Sequence, residues 1–78
     1  MTEPRLRFPE MHVQLLLTMA QELGQQPRMT YAQNLRSAIN VMRPWDERIT
    51  LETAMDYVLA AAKEGHLKRV GAMFGPST

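Results

Sequence analysis

The chain has 78 residues, no cysteine and a formal net charge of +1, and 45% of its residues are hydrophobic. A chain of this length folds as one domain and buries only about 60% of the surface it exposes when unfolded, so a single small core must supply its stability. No disulfide can form, and no stretch holds the roughly 18 uninterrupted apolar residues of a membrane span.

Residues 1 to 8 carry no periodicity and are expected to form an N-terminal arm, followed by one domain over 9–75 and a tail over 76–78. The arm opens with Glu3, Pro4, Arg5 and Arg7, unlike a secretory leader. Together with the missing cysteine, this gives the expectation of a cytoplasmic protein. The first helix is predicted near 9–24, with Pro9 at its first position and Gly24 as its stop. Val13, Leu16, Leu17, Ala20 and Leu23 recur at helical spacing, Leu15 and Met19 widen the apolar face, and Gln14, Thr18, Gln21 and Gln25 are left for solvent.

The second helix is predicted near 30–43. Thr30 and Gln33 have the spacing of a capping box, Leu35, Ala38, Ile39 and Met42 form the apolar face, and Pro44 disfavours helical geometry at Arg43. A loop around Trp45 leads to a third helix near 50–64, with Thr50 as N-cap and Leu51, Ala54, Met55, Val58, Leu59 and Ala62 as its buried set. Gly65 is placed for a left-handed C-cap that Leu67 closes. Leu67, Val70, Met73 and Phe74 lie around Gly71-Ala72, the pattern of a β-hairpin that ends at Gly75-Pro76. The fold class expected is therefore mostly α, a three-helix domain with a short C-terminal β-hairpin. Leu16, Leu17, Leu35, Ile39, Val58 and Leu59 should share its core.

Three helices followed by a hairpin, with the third running into Glu64-Gly65-His66-Leu67-Lys68-Arg69-Val70, resembles a winged-helix or helix-turn-helix domain over residues 9 to 75. The resemblance implies a short strand between the first two helices, for which Arg28-Met29 is the candidate, and a role in DNA binding. One feature departs from it: that family usually reads DNA with the third helix, whose N-terminal half here carries Glu52 and Asp56.

For catalysis or metal binding the residues offer little. His12 and His66 are the only side chains with an ordinary pKa near neutrality, and they are far apart in sequence. There is no Cys pair, no His-x-x-x-His, no Asp-rich calcium loop and no phosphate-cradling glycine loop. No enzyme activity, cofactor or metal is expected, and each histidine reads as a structural residue.

Binding chemistry is better represented. Gln33, Arg36, Ser37, Asn40 and Arg43 fall at helical spacing opposite the apolar set, and none is acidic, whereas an ordinary solvated face mixes both signs. Arginine pairs with guanine, and asparagine or glutamine with adenine, so this stripe has the residues of a DNA-facing helix. Lys68 and Arg69 on the hairpin would contact phosphates, or else serve as solubilising charges on an edge strand. Trp45 is either a loop cap on the core or an interface anchor, and Met73 and Phe74, with Met11 and Met29, offer an apolar patch for another chain. The expected function is a small DNA-binding regulator of transcription acting as a homodimer on duplex DNA. The alternative is a protein-interaction module, an adaptor or an inhibitor of the kind mobile genetic elements encode, acting without DNA.

Overall fold

The three apolar periodicities become three helices, α1 (Val13–Leu23), α2 (Arg28–Asn40) and α3 (Leu51–Lys63), in a computed structural model that describes residues 7–77. A 3₁₀ turn, Glu10–His12, precedes α1, and a second, Trp45–Glu47, lies between α2 and α3. Three short strands complete the domain: β1 (Gln26–Pro27), β2 (Leu67–Val70) and β3 (Met73–Pro76). They form one antiparallel sheet in the order β1-β3-β2, with Gln26 opposite Phe74 and Val70 opposite Met73. The protein is a mostly-α three-helix domain with a short C-terminal hairpin. The arm arginine Arg5 lies outside the described residues.

Each helix end has a local cause. Gly24 follows α1 in a positive-φ conformation, its amide donating to the Ala20 carbonyl. The Thr50 hydroxyl accepts from the Thr53 amide at 3.1 Å and caps α3. At the other end of α3, Gly65 has φ +90°, its amide donates to Ala62 and the His66 amide donates to Ala61, which is the Schellman arrangement. The buried Leu67 then starts β2. In the two-residue hairpin turn Gly71 alone takes a positive φ, the pattern of a type II′ turn.

The start of α2 differs from expectation. The helix begins at Arg28, directly after Pro27, so Thr30 lies within the first turn and the Thr30–Gln33 capping box does not form. The short strand anticipated at Arg28-Met29 falls instead on Gln26–Pro27, and β1 pairing with β3 is what turns the chain into α2 two residues early. Arg28 ties this end of α2 to α3, its Nε donating to the Met55 carbonyl at 3.3 Å.

The core is built from Leu16, Met19 and Ala20 of α1, Tyr31, Ala32, Leu35 and Ile39 of α2, Ala54, Val58, Ala60 and Ala61 of α3, and Leu67 and Phe74 of the sheet. Leu17 is half-buried and outside this cluster, and Leu59 packs against its edge, so both expectations of full burial are corrected. On α3 the buried line runs through Ala61 rather than Ala62, a rotation of the face that leaves Leu51, Met55, Leu59 and Ala62 at the margin. Phe8, assigned to the arm, is a core residue: it is 3% exposed, its ring meets Tyr57 edge-on at 5.9 Å, and its amide donates to the Glu64 carboxylate at 2.8 Å. Pro76, assigned to the tail, is the last residue of β3 and lies opposite Leu67. Tyr31 is fully buried, and its hydroxyl donates to the Gly24 carbonyl, joining α2 to the end of α1. Burial pushes its pKa up. No helix among the described residues is long and apolar enough to cross a membrane.

Candidate interaction surfaces

The polar stripe predicted on α2 divides in two. Gln33 and Ser37 are exposed and Arg36 is half-buried, so this half remains open to solvent. Asn40 and Arg43 are committed to the protein itself. The Asn40 side chain bonds both backbone groups of Ile49, its Oδ1 accepting from the Ile49 amide at 2.8 Å and its Nδ2 donating to the Ile49 carbonyl at 3.0 Å. Arg43 lies beyond the helix end, donates through Nη1 to the Glu47 carbonyl at 3.1 Å, and brings Nη2 to 3.5 Å from Nε2 of His12. Both side chains offered to DNA bases by their helical spacing therefore make hydrogen bonds within the chain. Both sit where α2 gives way to a loop whose backbone groups need partners.

These bonds span the α2–α3 loop, residues 41–49. Asn40 closes it across its width, Arg43 and the Glu47 amide bond to Pro44 brace its middle, and the Arg48 guanidinium lies 4.7 Å from the Trp45 ring centroid. The braced loop presents apolar side chains to water. Val41 is 80% exposed, Met42 61% and Trp45 81%. Trp45 is therefore no cap on the core, and Met42, expected inside, lies past the last turn of α2. Through His12 the 3₁₀ turn before α1 abuts the same loop, and its Met11 is also 79% exposed. Asp46, Glu47 and Arg48, which follow the tryptophan in the chain, are all exposed and carry both signs of charge.

His12 is buried, and burial, with the Arg43 guanidinium second, lowers its pKa below the usual value. Arginine has only donors, so a hydrogen bond at this contact requires a neutral ring that accepts through Nε2 and carries its proton on Nδ1. The histidine read as structural from the sequence thus joins the loop to the start of α1.

On the hairpin, Lys68, Arg69 and Val70 are exposed in succession, so this part of β2 shows both of its faces to solvent. Arg69 donates from Nε to the Gly71 carbonyl at 3.2 Å and lies 5.6 Å from the centroid of Phe74. Phe74 is only 2% exposed and Met73 is half-buried. The expected apolar patch at Met73 and Phe74 is therefore absent, because the alternation of β3 turns Phe74 into the core. On α3, Glu52 and Asp56 are exposed, and Asp56 comes within 3.7 Å of the Arg28 guanidinium, an exposed pair of small energetic weight.

A shallow cleft beside Phe8 is lined by Glu10, Glu64 and His66, with Glu64 engaged by the Phe8 amide and lying 3.8 Å from His66. Among the described residues no three potential ligands cluster to hold a metal ion. The loop surface has a weak sequence signal that the residue pattern alone did not reveal. An asparagine at the last helical position, before a proline-containing loop, is a common partner for loop backbone. No protein family, curated protein or solved structure matches the chain.

Proposed function

We propose that this domain is a protein-interaction module whose working surface is the braced loop between α2 and α3. The observation that carries the reading is Trp45, 81% exposed on a loop held in shape by Asn40 and Arg43. A single exposed apolar residue is ordinary, but Trp45 stands with Val41 and Met42 in one short loop. Tryptophan is enriched at the centres of binding interfaces, and a preformed loop loses little entropy when it docks. A chain without cysteine is compatible with a reducing compartment, and we read the module as cytoplasmic.

Contact with duplex DNA is the second reading. It is favoured by the exposed Lys68 and Arg69 on a projecting hairpin, within the order helix, short strand, two helices and hairpin that the winged-helix resemblance implies. Of the α2 stripe, Gln33, Arg36 and Ser37 remain available to it. Against it stand the exposed Glu52 and Asp56 on α3.

A duplex titration at low and moderate salt, run on the wild type and on Trp45→Ser and Lys68→Ala/Arg69→Ala variants, separates the two. DNA binding predicts affinity that falls log-linearly with salt, with a slope reduced by about one unit for each phosphate contact removed. The interaction module predicts no duplex binding at about 50 mM salt, and loss of partner binding in Trp45→Ser at unchanged melting temperature. Duplex binding that depends on Lys68 and Arg69 and ignores Trp45 would refute it.

A further inference from the structure

We infer that the outer edge of the hairpin takes up an extended acidic segment of another protein as a further strand, a contact that uses none of the α2–α3 loop residues. The sheet order β1-β3-β2 leaves two edges. Pro27 of β1 has no amide hydrogen to offer, which makes that edge a poor one for pairing. On β2, Lys68, Arg69 and Val70 are exposed. Val70 and Met73 flank the two-residue turn and exchange both hydrogen bonds, and alternation along the ladder pairs Lys68 with Gly75 in the same way. The backbone amide and carbonyl of Arg69 therefore point away from β3, and no backbone bond from elsewhere in the described chain engages them.

The side chains beside this edge define the occupant. Arg69 lies opposite Phe74 and shares its helix-facing side of the sheet, where it lines a cleft with Leu59, Ala62 and Lys63 of α3. A residue paired with Arg69 would send its side chain to that same side, into a cleft with an apolar lining and two cations. Its neighbours would stand beside Lys68 and Val70 on the other side. Lys63, Lys68 and Arg69 form no ion pair with any carboxylate of the described residues. The complement is an antiparallel strand that reads apolar, acid, acid opposite Val70, Arg69 and Lys68.

Other occupants fit this edge less well. Two β2 strands paired about their centre would set Lys68 opposite Arg69, like charge against like, which turns away a second copy. Basic residues guard an edge strand against neutral and basic strands, and leave it open to an acidic one. Phosphates of a nucleic acid bring only acceptors, so they would leave the Arg69 carbonyl without a donor and the Leu59 and Ala62 lining without an apolar partner. A peptide backbone supplies a donor and an acceptor together at strand spacing.

Fluorescence anisotropy of a labelled short peptide containing Val-Glu-Glu, titrated with the protein, tests the inference. Saturable binding is expected, and none by the Val-Lys-Lys counterpart. Methylating the amide nitrogen of the first Glu, the residue set opposite Arg69, removes one backbone hydrogen bond and no charge, and should weaken binding about threefold or more. Lys63→Ala and Lys68→Ala, whose side chains make no hydrogen bond or ion pair among the described residues, should each weaken it about two- to fivefold at unchanged melting temperature. The double reversal Lys63→Glu/Lys68→Glu should abolish it. The inference is overturned by an acidic peptide that does not bind at about 1 mM, or by binding indifferent to amide methylation or to the charge reversal. A short DNA duplex that binds through Lys68 while the peptide does not would give the edge to nucleic acid and overturn it as well.

Discussion

Replacing Asn40 with alanine removes both hydrogen bonds that close the α2–α3 loop. Each such bond is worth about 0.5–1.5 kcal/mol net, and the abandoned Ile49 amide and carbonyl are half-buried, so water restores only part of the loss. A destabilisation of about 2 kcal/mol follows, which for a domain of this size lowers the melting temperature by roughly 8–16 °C. Asn40→Asp is the informative companion. Its carboxylate still accepts from the Ile49 amide but faces the Ile49 carbonyl without a donor, so it should retain part of the stability at most. Thermal unfolding by circular dichroism measures the loss, and amide exchange localises it, since the Ile49 amide should lose protection while the α1 amides keep theirs. A melting temperature unchanged in Asn40→Ala, with the Ile49 amide still protected, would refute the bracing role. It would return Asn40 to the set of side chains free to meet a nucleic acid.

Leu16→Ala should cost about 2–5 kcal/mol because the side chain is fully buried, whereas Leu17→Ala, half-buried and outside the core cluster, should cost no more than about 1 kcal/mol in the same denaturant titration. Equal losses would mean that the helical phase of α1 is wrong. Gly65→Ala should destabilise by about 1–2 kcal/mol through backbone conformation alone, since φ is +90° and an added Cβ would meet nothing within 4 Å. A neutral result would remove the left-handed cap from the account of α3. For His12 the folded pKa is depressed, so the unfolded chain binds more protons. Its contribution to stability is complete above the ordinary value of 6.5 and declines as pH falls from there toward the folded pKa. Melting temperature should therefore fall on mild acidification, and His12→Gln should flatten that dependence; an identical pH slope in the variant would rule His12 out as its source.

Where local chemistry and global packing agreed, the residues announced the structure. Thr50, Gly65 and Gly71 carry short-range signals that no long-range contact opposed, and all three do what their positions predicted. Thr30 and Gln33 carry an equally good capping signal, yet strand pairing between Gln26–Pro27 and β3, a contact spanning almost fifty residues, starts the helix at Arg28 and overrides it. The burial of Phe8 carries no local signal because it depends on Tyr57 and Glu64, partners that only the folded chain brings near. Asn40 and Arg43 of the α2 stripe show what helical spacing leaves open. Helical spacing placed Asn40 and Arg43 on the polar side, but periodicity says nothing about whether a polar group points to water or to a carbonyl of the next loop. Alternation likewise made Met73 and Phe74 distinguishable without saying which of the two faced inward.

The residues withdrawn from a DNA face make the loop face stronger, and the two changes have one physical origin. A ten-residue connection between helices loses conformational entropy when it is fixed, on the order of 1 kcal/mol or more for each backbone residue. Asn40, Arg43 and the stack of Arg48 on Trp45 offset that loss with polar and cation–π contacts, not with burial. The core gains nothing from Val41, Met42 or Trp45, which are all more than half exposed. Were stability the only demand on this connection, a flexible polar loop would serve at less entropic cost and without an exposed tryptophan. Fixing a shape while leaving its apolar groups in water is what lowers the entropic cost of docking, because the ordering has been done before the partner arrives. The same reasoning makes Asn40→Ala and Trp45→Ser opposite in kind: the first should loosen the loop and weaken binding together with stability, the second should abolish binding with stability intact. A Trp45→Ser variant that unfolds the domain would place the side chain in the core and end the case for the loop.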